Sequence, residues 1–262
     1  MGITSQSSHI VITGASRGLG AALAIEAAAP AIRLTLTARK KSALKAVKDA
    51  CVQKGAKVEI IELDLCDQNS IAKFYQAIGD AVDIFIANAG IFDGRSADDD
   101  LETQNSIQSL LQTNFVGTLQ LCHAVAKGMK DRGAGQIVTI SSLAGIAPLP
   151  DASIYSASKA GLSAYAEAMA GYLASYGVVV TDVRAGHIAT EQTDVQKGGT
   201  HQMWSTQRAA NKIMQGIRRK RRVVQFPWSL AVGAHLSRVL PWPIRRWAMA
   251  SHRFYVEKKE EL

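Results

Sequence analysis

Cysteine is scarce in this chain: Cys51, Cys66 and Cys122 are the only three in 262 residues. Their odd number argues against a disulfide framework, and their spacing matches no metal-ligand pattern, so reduced thiols in a cytoplasmic protein are expected and no metal site is. The opening "MGITSQSSHIVITGAS" lacks a basic segment followed by a long apolar one, and no secretory signal is expected. Long apolar runs are missing too. The uncharged stretch at 223–237 has fifteen residues and contains Pro227, too short and too broken to span a bilayer. No repeat, low-complexity tract or linker divides the chain.

What is present reads as one globular domain with a sizeable core, since 47% of residues are hydrophobic and 20% charged. Short apolar runs alternate with helical stretches from residue 9 to about 186. "HIVITGA", "RLTLTA", "KVEIIELDL", "VDIFIANAG", "GQIVTISS" and "GVVVTDVRAG" read as strands that are apolar throughout, and "RVVQFP" supplies a seventh. Residues 103–130 read as one long helix. Apolar strands separated by helices predict an α/β fold: a single-domain Rossmann-type, doubly wound parallel sheet of about seven strands with helices on both faces. The expected division is a domain over 1–222 and a C-terminal extension over 223–262, packed on or continuing the same domain.

Between the first strand and first helix stands "TGASRGLG", residues 13–20. Gly14, Gly18 and Gly20 permit a tight turn, and the helix start then offers free N–H groups and a positive dipole end to a pyrophosphate. At the end of the second strand, where a carboxylate would hold ribose hydroxyls, stands Ala38 followed by Arg39 and Lys40. Arg17 of the glycine turn can point to the same place. Guanidiniums without a carboxylate suit a 2′-phosphate, so NADP(H) is preferred over NAD(H).

Further on, "YSASK" sets a phenol and an ammonium four residues apart, on one helix face. With this stretch the chain resembles the short-chain dehydrogenases/reductases from about residue 9 to 190. The ordered motifs are "TGASRGLG", "LDL" at 63–65, "NAG" at 88–90, Asn114 in "LQTNF", "SS" at 141–142 and "YSASK". The resemblance implies a cofactor cleft lined by Gly14, Ser16, Arg17, Gly18, Leu19, Gly20 and Arg39, with Asp64 and Leu65 against the adenine. Asn88, Ala89 and Gly90 would line the same cleft, and Ile188 and Thr190 would hold the carboxamide. It implies a catalytic set of Asn114, Ser142, Tyr155 and Lys159, the last two also touching cofactor, with Ser142 chosen over Ser141 by its separation from Tyr155. Asn114 would hold a water in a proton relay to Lys159.

The chemistry of these residue types agrees. A phenol with a pKa of about 10 exchanges protons poorly near neutrality. A neighbouring ammonium, together with the charge of an oxidised nicotinamide, is expected to bring it down, and a serine hydroxyl can bond the oxygen on which charge develops. The implied activity is NADP(H)-dependent interconversion of a ketone or aldehyde with an alcohol, on an apolar or lipid-like substrate. A non-catalytic NADP-binding regulator or scaffold and a sugar-nucleotide epimerase or dehydratase are the alternatives. The family is usually dimeric or tetrameric, and the small residues around Tyr155 suit close helix contact. Ala185-Gly186 departs from the family's Pro-Gly, and Ala87 from a frequent Asn. His123 and His187 show no partner in the sequence and read as packing or loop residues.

The ending is distinct. Residues 1–207 hold seventeen basic against nineteen acidic side chains, whereas 208–262 hold thirteen against three. Substrate selection is expected from about 189–215, where Met203 and Trp204 line a pocket or form a helix's buried face. Tryptophans interleaved with arginines over 218–255 suit peripheral contact with an anionic membrane; cover for the substrate pocket or a subunit contact is the other reading. "RRKRR" has no stacking aromatics around it, and no nucleic-acid partner is expected.

Overall fold

β1 (Ser8–Ile12) and β4 (Ile84–Ala87) are nearly continuous apolar runs, as strands covered on both faces must be. They lie side by side in the centre of a seven-stranded parallel sheet completed by β2 (Ile32–Ala38), β3 (Lys57–Glu62), β5 (Gly135–Ser142), β6 (Val178–Ala185) and β7 (Val223–Phe226). The structure, a computed structural model, describes residues 8–96, 101–191, 193, 196–197, 203–250 and 254–257. Strand order is β7-β6-β5-β4-β1-β2-β3, so the winding reverses between β1 and β4 and opens a crevice at their carboxyl ends. The single α/β Rossmann-type domain expected from the sequence is thus the observed one. β3 departs from the expected apolar pattern: it is an edge strand, and its Lys57, Glu59 and Glu62 are exposed.

Two apolar layers clasp the sheet. On one face α1 (Gly18–Ala27), α2 (Lys45–Gln53) and α7 (Thr206–Arg218) bury Leu23, Val47 and Ile213. On the other, α3 (Gln68–Ile78), α5 (Gly117–Arg132) and α6 (Ser153–Leu173) bury Phe74, Leu121, Met129 and Leu173. The Ser205 side chain accepts from Arg208 N–H and caps α7, as Asp67 caps α3.

The expected helix over 103–130 is interrupted. α4 (Gln104–Leu111) passes into a π turn over Gln112–Val116 before α5 begins. Gly117 lies so close to Leu65 that a Cβ there would come 2.6 Å from the Leu65 carbonyl oxygen. The helix widens beside the cleft at this contact, and such π turns are frequent at functional sites.

The expected boundary at 222 falls just before β7, which pairs with β6 from Val223↔Asp182 to Phe226↔Ala185. α8 (Trp228–Val239) and α9 (Trp242–Ala250) follow. Tyr255–Val256 then returns to pair with Gln196–Lys197, and Val256 also bridges to Ser96.

Candidate active site

The carboxyl ends of β1, β2, β4, β5 and β6 open into one cleft of about 1630 Å³. That exceeds the roughly 300–1,000 Å³ of a pocket for a single small ligand, leaving room for a dinucleotide and a second molecule. Gly14, Ser16, Arg17, Gly18, Leu19 and Gly20 line one side. Gly14 has φ +64°, and a Cβ on it would lie 2.8 Å from Ala89 Cα; one on Gly20 would lie 2.2 Å from the Gly14 carbonyl oxygen. The turn therefore folds flat against the start of α1, whose N-terminus carries no side-chain cap and no acidic residue in its first turn. These features fit the pyrophosphate of a dinucleotide.

Asn88 fastens this turn to β4. Its Nδ2 donates to the carbonyls of Thr13 (2.9 Å) and Gly14 (3.1 Å), while Thr13 Oγ1 accepts from the N–H groups of Asn88 and Ala89. Arg39 and Lys40 stand exposed on the cleft rim after β2, and no carboxylate occupies the end of that strand. Asp64 and Leu65 line the adjoining wall, with Asp64 Oδ1 accepting from Cys66 N–H at 2.9 Å. Across the cleft, Ile188 is buried and Thr190 sits over Gly18, its Cγ2 3.4 Å from where a Cβ on that glycine would be. Arg17 and Glu191 form an exposed ion pair at 3.1 Å between the same two loops.

The structure brings Ser142, Tyr155 and Lys159 together on the cleft wall. Ser142 ends β5; its Oγ donates to the Ala185 carbonyl (3.2 Å), accepts from Ala144 N–H (3.1 Å) and engages the Tyr155 hydroxyl. Ser141 is turned away into the sheet, where its Oγ bonds Asp182 Oδ1 (2.6 Å) and the Val183 carbonyl (2.9 Å). The alternation of a strand separates these neighbours onto opposite faces. Tyr155 and Lys159 stand one turn apart on α6, with Lys159 Nζ 5.7 Å from the Tyr155 ring centroid. That Nζ donates to the Ile140 carbonyl at 2.8 Å.

Asn114, in the π turn, spends both ends of its amide on Ile91: Oδ1 accepts from Ile91 N–H and Nδ2 donates to Ile91 O, each at 2.7 Å. Gly90 brings the three together, since a Cβ there would lie 3.2 Å from Asn114 Oδ1 and 3.5 Å from Lys159 Nζ.

In the chain alone, burial dominates the electrostatics of this pair. Burial lowers the Lys159 ammonium to about 8, with Asp182 working in the opposite direction. Burial also raises the Tyr155 phenol above its ordinary value in the chain alone, and the Ser142 hydrogen bond works against this.

Several residues of the site escaped the sequence reading. Asp182 accepts from Ser141 and from Arg184 Nε (2.7 Å) and supports the Lys159 charge. A carboxylate in the middle of an apolar strand, "VVVTDVRA", is the signal that could have found it. Phe92 meets the Tyr155 ring edge-on at 4.9 Å and 77°. His187 lines the cleft, whereas His123 faces Tyr165 Oη at 3.3 Å. Trp204 stacks on Phe226 at 4.8 Å beneath the Arg208 guanidinium, so it belongs to the core rather than the cleft.

Comparison with known proteins places the chain among oxidoreductases of one family. Residues 8–199 match the family model described as short chain dehydrogenase. An uncharacterized oxidoreductase of Myxococcus xanthus is 32% identical over 237 residues, 89% of this chain and 93% of that protein. A ketoacyl reductase of Nostoc is 32% identical over 219 residues, 80% and 75% of the two chains. Among solved structures, a short-chain dehydrogenase from Sphingobium yanoikuyae in complex with NADPH superposes with a TM-score of 0.79 at 25% identity, over 97% of this chain and 100% of that one.

Proposed function

The chain belongs to the short-chain dehydrogenase/reductase family and is an oxidoreductase acting on CH–OH groups with a nicotinamide cofactor; from this premise we propose that it interconverts a ketone and an alcohol with NADP(H), on an apolar or lipid-like substrate. The observation that carries the reading is the meeting of Ser142, Tyr155 and Lys159 on one wall of the cleft that begins at the glycine turn. When bound, the dinucleotide supplies or accepts the hydride. Ser142 Oγ, which donates its one hydrogen to the Ala185 carbonyl in the chain alone, turns it to the substrate oxygen as charge grows there. Tyr155 Oη gives that oxygen its proton in reduction and takes it back in oxidation. Lys159 places positive charge beside the phenol, and Asn114 holds the Gly90–Ile91 backbone against it. Consumption of NADPH with a panel of ketones tests this directly; no turnover with any of them would sink it.

The preference for NADP(H) rests on Arg39 and Lys40 at the rim and on the absence of a carboxylate after β2. Charge-assisted bonds of about 1.5–3 kcal/mol to a 2′-phosphate correspond to roughly ten- to a hundredfold in affinity. Arg39→Ala is expected to raise KM for NADPH by that factor and leave KM for NADH nearly unchanged. A wild-type protein that prefers NADH would overturn the assignment.

An apolar substrate is supported by α8, which lines the cleft with Leu230, Gly233 and Ala234, and by the ketoacyl reductase among the relatives. The other face of α8 exposes Trp228 (72%), Val232, Leu236 and Val239 (79%), and α9 adds Trp242 and Trp247. Among the described residues, no helix is long and apolar enough to cross a membrane. Rings and aliphatic side chains beside Arg238 and Arg246 support peripheral contact with an anionic bilayer instead. The full chain is expected to sediment with phosphatidylserine-containing vesicles at low salt and to be released at high salt. Indifference to such vesicles at low salt would remove this part of the reading.

A further inference from the structure

Phe254 lies about a hundred residues beyond Tyr155 in the chain, yet it is buried (3% exposed) and lines the same cleft. Its ring sits 6.0 Å from that of Phe92, which in turn meets Tyr155 edge-on. One buried carboxylate holds it there. Asp151, 2% exposed, accepts from Phe254 N–H through Oδ2 and from Arg95 Nε through Oδ1, both at 2.9 Å. Arg95 completes the loop. Its Nη2 donates to the Phe254 carbonyl (3.2 Å), its N–H to the Asp151 carbonyl (2.7 Å), and its own carbonyl accepts from Val256 N–H (2.9 Å).

Gly94 admits this closure, since a Cβ there would lie 2.4 Å from the Asp151 carbonyl oxygen and 3.3 Å from Val256 Cγ2. Three segments distant in sequence are thus latched together: the loop after β4, the approach to α6, and the last described residues of the chain. A charge-assisted network this well satisfied and this buried is rigid, and a rigid wall selects by shape.

We propose that residues 254–256 form a strap latched by Asp151 and Arg95, and that Phe254, with Phe92, is the specificity-determining wall against which the apolar group on the substrate carbonyl packs. This rests on the reading of Tyr155 as the proton-exchanging group, because the aromatic wall is defined relative to that ring. Phe254 acts by contact with substrate; Asp151 and Arg95 are positioning residues that act through it.

The test uses the full chain with alkyl phenyl ketones from methyl to hexyl. Phe254→Ala is expected to shift the ratio of kcat/KM between hexyl and methyl members at least tenfold toward the larger, the scale on which apolar pockets discriminate. Affinity for NADPH should stay at the wild-type value, and Phe254→Leu should give a smaller shift in the same direction. Calorimetric binding of the same ketones in the presence of NADP⁺ should follow the same order, whether or not turnover is seen. Asp151→Asn is expected to speed hydrogen exchange of the 254 and 256 amides at least tenfold and to move selectivity the same way.

An equal loss for every ketone in a folded Phe254 variant would reduce the residue to a structural role. Unchanged exchange in Asp151→Asn would overturn the latch. A wild-type chain that binds these ketones without turning them over would fail the proposed activity while leaving the strap standing.

Discussion

Tyr155→Phe is expected to lower kcat by about 10²–10⁴-fold, the range supplied by a positioned acid–base group, with little change in NADPH affinity. The substitution removes only the hydroxyl. The ring keeps its edge-on contact with Phe92 at 4.9 Å and its place against Ala152 and Phe254. Loss of a structural contribution is therefore small, and the effect falls on proton exchange. Because burial holds the phenol above its ordinary pKa in the chain alone, Tyr155 is protonated over the whole neutral range and ready to act as an acid. The pH profile of reduction should accordingly show no loss of activity assignable to phenol ionisation between pH 6 and 8. A Tyr155→Phe protein that retains more than a tenth of wild-type kcat would remove the tyrosine from the mechanism.

Lys159→Met is expected to do two opposite things: cut turnover by about a hundredfold or more, and make the protein more stable near neutrality. The ammonium is buried, and its pKa falls from 10.5 to about 8. Between those values the unfolded chain binds more protons than the folded one, so wild-type stability rises with pH across that window. Below pH 8 the full desolvation penalty is present, on the order of 3 kcal/mol at most. Methionine removes the penalty and forfeits the bond to the Ile140 carbonyl, worth about 1 kcal/mol, for a net gain of about 2 kcal/mol at pH 7. Urea unfolding at pH 7 and pH 10 checks the sign: the advantage of the variant should shrink at the higher pH. A variant less stable than wild type at pH 7 would show that Lys159 is held more favourably than its burial implies. A more stable variant would mark Lys159 as a charge retained for function at a cost to stability.

Much of the site could be read from the one-dimensional pattern. The glycine turn, the basic pair after β2 and the Tyr155–Lys159 spacing depend on residues within a few positions of one another. The choice of Ser142 over Ser141 rests on its separation from Tyr155, and the pleat of β5 sends the two hydroxyls to different partners. The sequence predicts one helix over 103–130; the π turn ends at Gly117, which packs against Leu65, 52 positions earlier, a contact that no local pattern marks. The phenol's raised pKa likewise follows from what surrounds it rather than from its neighbour on the helix.

Short-range regularities, periods of two and 3.6 and turn chemistry at fixed offsets, are properties of the chain itself; from them came the doubly wound sheet, the dinucleotide turn and the phenol–ammonium pair. Only the tertiary structure decided that Asp182 supports Lys159, that α8 turns one face to the cleft and the other outward, and that Phe254 returns to stand beside Phe92 and Tyr155. These depend on which distant segments share a buried volume. That is decided when the whole core packs, because desolvation and close contact act through space and carry no mark in the local order of residues.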